Sequence, residues 1–188
     1  MKMLVRILAF TGVTLFYLIY LLKGLLLRKQ GITVNLLGKD VKNEQYFEIV
    51  LKIMTGVGGV LQFLAPILFE INRTVWVYLG LGLIFAGVVL FYIAVRAMGL
   101  NWRAGYNEKQ RTELVTTGIY RFSRNPAFVA FDFLYLGLAV TFPNILVIAV
   151  AMTAFILFDR QIRGEETYLV STFGESYRQY QAKVRRYL

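Results

Sequence analysis

The sequence predicts an all-α integral membrane protein of five transmembrane helices, including a C-terminal helical hairpin, with short cytoplasmic helices in its tail. Three observations predict it. The residues are 57% hydrophobic and the mean hydropathy is +0.57, more apolar than a soluble domain of this size. The apolar residues come in long runs edged by Lys and Arg. The last run, 127–158, is interrupted at Pro143-Asn144.

The first run, 7–22, has Lys2 and Arg6 before it and Lys23, Arg28 and Lys29 after it. It continues through Leu25-Leu26-Leu27 with no small-residue cleavage site behind it, so it reads as a span rather than a signal peptide. Residues 33–48 read as a polar loop. The second span is 53–69, with Lys52 placed to snorkel at its edge. Gly56, Gly58 and Gly59 within it favour close helix contact. A tight connection at 70–74 leads to the third span, 76–95, with Trp76 and Tyr78 at one interface.

Residues 127–158 in a single helix would reach about 48 Å, against a hydrocarbon core of about 30 Å. Pro143 would also fall mid-helix, where it removes a backbone bond. A hairpin over 126–158 resolves both problems and puts Arg121 and Arg124 on the same side as Arg160 and Arg163. The tail, 159–188, reads as two short helices, 160–173 and 175–187, separated by Gly174. The whole is one membrane domain: N-terminal spans over 1–99 and a functional core over 100–188.

The net charge is +10. In a soluble protein that balance would suggest nucleic acid. Here every Lys and Arg except Lys2, Arg6 and Arg73 falls on one side of the five-span topology. The positive-inside rule then sets the N-terminus outside and the tail in the cytoplasm, with membrane lipids as partners and no nucleic acid. The chain has no cysteine and no histidine. Disulfides, thiolate metal sites, nearly all zinc chemistry and histidine-based triads are excluded, and no metal is expected.

The polar residues that remain are few. Asp132 sits about 9 Å into an apolar run, where an acid is either a functional site or an interhelical hydrogen bond. Glu165-Glu166 reads either as two acids complementing a helix dipole or as acceptors for a cationic or hydroxyl-bearing ligand. Thr116-Thr117-Gly118 has turn chemistry. Asn125-Pro126 suits the cap and first turn of a helix.

Their order is more telling. Leu114-Val115-Thr116-Thr117-Gly118-Ile119-Tyr120, Arg124-Asn125-Pro126, a hydrophobic hairpin, Glu165-Glu166, Phe173-Gly174-Glu175-Ser176-Tyr177 and Val184-Arg185-Arg186 follow in turn. Together they resemble the isoprenylcysteine carboxyl methyltransferase family, which is related to the membrane phospholipid methyltransferases. The resemblance covers roughly residues 100–188. It implies a bundle of transmembrane helices with a cytoplasm-facing pocket for S-adenosylmethionine. Carried over, Val115, Thr117, Gly118 and Tyr120 hold the cofactor together with Asn125, Glu165 and Glu166. Arg124 and Asn125 occupy the family's Arg-His-Pro position, and Arg185 or Arg186 its arginine near the substrate, which makes these four the expected catalytic set. Two departures stand out. Asn125 replaces a histidine and cannot carry a proton. Phe128 replaces a tyrosine and loses its hydroxyl.

The function implied is transfer of a methyl group to a lipid-like acceptor from the bilayer, with a carboxylate favoured. A carboxylate is already ionised at neutral pH and needs no base. An amine or thiol acceptor would need one, and Glu165, Glu166 and Asp132 are the candidates. The alternatives are an N- or S-methyltransferase, an NADPH-dependent membrane reductase with a similar C-terminal half, and a non-enzymatic helper.

Overall fold

A computed structural model of the 188-residue chain describes residues 1–32, 45–102 and 113–188. Among these residues six α-helices run in the order α1 (Lys2–Lys29), α2 (Gln45–Leu68), α3 (Trp76–Met98), α4 (Pro126–Thr141), α5 (Ile145–Phe173) and α6 (Glu175–Lys183). Among the described residues there is no strand, only an isolated parallel bridge between Ser123 and Arg185. Four helices are long and apolar enough to cross a membrane: α1, α2, α3 and α5. Exposed apolar side chains such as Leu18, Val57, Tyr92 and Ile156 coat their outer faces. The protein is an integral membrane protein.

Where the sequence predicts five full spans, the structure has four and a shorter apolar helix, α4, of 16 residues. Its start is fixed by Pro126 in the first turn, which needs no backbone N–H there. Its end is fixed from outside. Asn72, in the connection after α2, donates its backbone N–H to the Thr141 carbonyl at 2.8 Å and its side-chain amide to the Val140 carbonyl at 3.1 Å. The hairpin turn falls at Pro143-Asn144 as the sequence predicts, and Asn144 caps α5 by accepting from Leu146 N at 2.9 Å.

Two element boundaries differ from the sequence reading. Tyr46, Phe47 and Glu48 are helical, so α2 begins inside the expected loop; its residues 33–44 lie outside the described ones. The expected tail helix over 160–173 is the C-terminal part of α5. No proline or helix-ending glycine separates Phe158 from Gly174, so the helix runs on although its composition turns polar. At 29 residues, α5 is about 43 Å long and outruns the hydrocarbon core. Twenty residues from Ile145 cover about 30 Å, so the helix crosses the core and its last turns, from about Glu165, project beyond it. Gly174 ends it at φ 55°, a conformation open chiefly to glycine.

The core sits between α1, α3 and α4. Phe16 stacks on Phe91 at 4.3 Å and meets Phe131 edge-on at 4.7 Å. α3 and α4 form the most extensive helix pair. Gly80 and Gly87 of α3 face Gly137, Ala130 and Thr141 of α4 with backbone against backbone. A Cβ at Gly137 would lie 2.7 Å from the Gly80 carbonyl oxygen, and one at Gly87 2.8 Å from that of Ala130. Small residues permit this approach, which membrane helices use in place of hydrophobic burial. The glycines singled out in α2 work differently. Gly58 and Gly59 receive the tips of Tyr135 and Tyr17, and Gly56 faces open space. At the opposite end of the bundle, the Arg6 guanidinium donates to the carbonyls of Pro66, Ile67 and Phe69, answering the unpaired end of α2.

Candidate functional site

Residues i and i+1 of a helix point about 100° apart. Glu165 and Glu166 therefore face different surroundings and form two sites. Both lie near the C-terminal end of α5, so the helix-dipole reading does not apply, because that end disfavours acids.

Glu166 is the hub of an ion-pair latch. Its Oε1 accepts from Arg124 Nε at 2.9 Å and pairs with the same guanidinium's Nη2 at 2.8 Å. Its Oε2 accepts from Arg186 Nε at 3.1 Å and Nη2 at 2.8 Å. Burial alone would raise this carboxyl, but hydrogen bonds from Arg186 and Arg124, and their charges, hold it below the ordinary glutamate value. Arg124 also donates to the Gln181 and Val184 carbonyls at the end of α6, acting as a C-cap from another element. Asn125 stands in the cap position of α4, but its side chain makes no capping bond. It donates instead to the Arg186 carbonyl at 3.2 Å and to Glu166 Oε1 at 3.4 Å.

The backbone completes the latch. Arg124 N donates to the Arg185 carbonyl at 2.9 Å, laying the extended tail beside residues 123–125. The Tyr180 hydroxyl donates to the Tyr120 carbonyl at 2.6 Å. Burial and neighbouring Tyr180 raise the Tyr120 hydroxyl above its ordinary value, so it stays neutral. Nearby, Asp159 accepts from Arg163 at 2.7 Å and from the Tyr187 hydroxyl, anchoring the chain's last turn.

Glu165 faces the other way, into a cavity of about 300 Å³ lined by residues of α1, α2, α3, α4 and α5 and by Trp102. The walls are aromatic, with Tyr20, Phe91, Trp102, Phe131 and Phe158 prominent. Phe128, without the hydroxyl, is part of the same wall. Polar residues also line it: Gln161, whose Nε2 donates to Glu165 Oε1 at 3.0 Å, Lys52 and Thr55. Burial pushes the Glu165 carboxyl up to about 7, the Gln161 hydrogen bond opposes this, and the Glu48 carboxylate adds to the rise. Lys52 and Gly56 also line a groove on the outer face of α2 with Ile53, Val57, Val60 and Leu64, so the cavity adjoins the lipid-facing surface there.

The structure thus brings Arg124, Asn125, Glu166, Arg186 and the Arg185 backbone together. It places Glu165 apart from them, in the cavity. The Arg185 side chain is exposed. Val115 is half-buried, and Thr117 and Gly118 are exposed beside the end of α3, where Gly118 has φ 62° and its Cβ position lies 3.5 Å from Ala97. None of these three lines the cavity. Asp132 is half-buried on α4 and does not line it either. Among the described residues, no acidic cluster could hold a metal. Sequence reasoning missed Lys52 and Gln161 as cavity residues. Gln161 sits one turn before Glu165, a spacing that would have found it.

Compared with known proteins, residues 75–176 match the phospholipid methyltransferase family. The matched segment is more than half of the chain. The chain belongs to the phospholipid methyltransferase family. Its relatives include protein-S-isoprenylcysteine O-methyltransferases. The Xenopus laevis protein is 30% identical over 119 residues, 61% of this chain and 41% of that one. The Schizosaccharomyces pombe protein is 40% identical over 72 residues, 38% of this chain and 30% of that one. The Arabidopsis thaliana B protein is 30% identical over 132 residues, 67% of each. The chain thus spans less than half the length of the first two relatives. The phospholipid methyltransferase match takes in α3, α4, α5 and both glutamates, whereas α1 and α2, which close the cavity, lie outside it.

Proposed function

We propose that this protein is an S-adenosylmethionine-dependent methyltransferase acting on a lipid-like acceptor that enters from the bilayer. The observation that carries the reading is the aromatic cavity with Glu165 in its wall and the outer groove of α2 beside it. Bound S-adenosylmethionine supplies an electrophilic methyl group on a cationic sulfur. Aromatic faces and a carboxylate suit such a cation, and a cavity of about 300 Å³ is at the lower bound for a small-molecule site. Val115, Thr117, Gly118 and Tyr120 would hold the rest of the cofactor from outside the cavity, with Glu165 as the contact inside it. Arg124, Asn125, Glu166 and Arg186 hold the tail against α4 and so position that surface. The rate gain of a displacement at carbon comes mainly from alignment, which a fixed frame provides. The positive-inside rule, applied to the basic residues of the latch, supports a cytoplasmic position for this site.

Titration calorimetry of the purified protein tests the reading. S-adenosylhomocysteine should bind and NADPH should not; binding of NADPH alone would favour a reductase, and binding of neither a helper.

Methyl transfer to a carboxylate acceptor would use the exposed Arg185 to grip that acceptor. One observation favours a second acceptor class. Glu165, not an arginine, lines the cavity, and a carboxyl titrating near 7 suits removal of a proton from an amine or thiol. For that class the rate should rise with pH through about 7, and Glu165→Gln should abolish the rise. For a carboxylate acceptor the rate should be flat from pH 6 to 8 in both proteins. Initial rates across that range, with an amine-bearing and a carboxylate-bearing lipid, decide between them.

A further inference from the structure

Gln62 lies well inside α2, at a depth where a bilayer offers no polar partner. It is 2% exposed. Its Oε1 accepts from the Tyr17 hydroxyl at 2.8 Å, while Nε2 is buried without a hydrogen-bond partner among the described residues. Turning the amide over would only exchange the unanswered end. Gln62 lines a small void of about 10 Å³, closed by Gly58 and Ala65 of α2, Tyr135 of α4, and Val147 and Val150 of α5. Tyr135 divides this void from the aromatic cavity and lines both. Its hydroxyl sits over Gly58, where a Cβ would meet it. A space of this size holds a single water, provided that polar groups meet it. Here two are at hand, an amide and a phenol, and a buried amide left unanswered is costly.

We propose that this void binds one water molecule, which links the Gln62 amide to the Tyr135 hydroxyl. Tyr17, Gln62, the water and Tyr135 then form a continuous hydrogen-bonded floor beneath the cavity. Resting on the methyl-transfer reading above, the floor also limits how deep the acceptor's apolar chain can reach.

A stability cycle in detergent tests the water site without any turnover. Tyr135→Phe removes one hydroxyl and should lower the melting temperature by about 2–4 °C, the size of one lost hydrogen bond in a chain of this length. In a Gln62→Met background the same change should have almost no effect, because the chain of bonds is already broken. An equal loss in both backgrounds, or no loss in either, overturns the water site. The limit on chain length is read separately, from rates with acceptors of increasing apolar length. Tyr135→Ala joins the void to the cavity and should move the optimum to longer chains; an unchanged optimum overturns the floor's role. If the wild-type protein turns over no acceptor, the methyl-transfer reading fails, and the stability cycle still decides the water site.

Discussion

Gly137→Val should lower the melting temperature by roughly 2–12 °C, corresponding to about 1–3 kcal/mol of overpacking at about 2–4 °C per kcal/mol. Its Cβ would meet the Gly80 carbonyl oxygen at 2.7 Å and Ile84 N at 2.8 Å. Both are backbone atoms of α3 and cannot rotate away, so the two helices must part. That loosens the most extensive helix pair in the bundle and the aromatic core it closes around Phe91. Gly82→Val is the control. A Cβ there meets nothing within 4 Å, so its melting temperature should stay within a degree or two of wild type. Thermal unfolding of both variants in one detergent checks the expectation. Equal melting temperatures would mean that the α3–α4 contact has room to spare.

Glu166→Gln should have the larger effect. It keeps the shape and one acceptor but leaves two guanidiniums without their carboxylate. Arg124 is nearly buried, its side chain 9% exposed, and Arg186 is 30% exposed. Breaking a buried ion pair costs about 3–5 kcal/mol, and the exposure of Arg186 moves the expectation toward the lower end. The tail should come away from residues 123–125, so limited proteolysis should cut the variant within residues 174–188 much faster than wild type. The pH dependence follows from the depressed carboxyl. Its stabilising contribution is complete above the ordinary glutamate pKa, about 4.3, and is lost as pH falls through its lower folded value. Wild-type melting temperature should therefore drop below about pH 4 more steeply than that of the variant. Parallel acid curves for the two would show that the latch contributes little.

The spans were legible in the sequence because a bilayer demands uninterrupted apolar length, and 7–22, 53–69 and 76–95 supply it. The hairpin was legible because Pro143-Asn144 breaks a run too long for one crossing. The continuity of α5 was not, because the change from apolar to polar at Asp159 imitates an element boundary although the helix runs on through it. The backbone ends a helix only where it can turn, at Gly174. The two glutamates were legible as a pair and illegible as separate sites, since adjacency in sequence is divergence on a helix. Neither the Gly80–Gly87–Gly137 contact nor the Tyr17–Gln62 bond could be read, because each joins residues more than forty positions apart on different helices. The match to the phospholipid methyltransferase family bears out the resemblance carried by the C-terminal motifs. The roles of Val115, Thr117 and Gly118 still rest on that resemblance, since the adjoining residues 103–112, with Arg103, Lys109 and Arg111, lie outside the described ones.

The short α4 has a consequence for the membrane itself. Sixteen residues make about 24 Å of helix, some 6 Å less than the hydrocarbon layer. Asn72 answers the last carbonyls of this helix from the neighbouring connection, so protein rather than lipid surrounds the end where it stops short. The turn at 142–144 can therefore lie below the plane of the nearest headgroups without exposing bare backbone to the acyl chains. Lipids next to it must bend inward to meet it, at a cost of fractions of a kcal/mol for each ångström of mismatch. A bilayer of ordinary thickness should therefore dimple over the α4–α5 turn, and its thickness becomes a variable to which this fold responds.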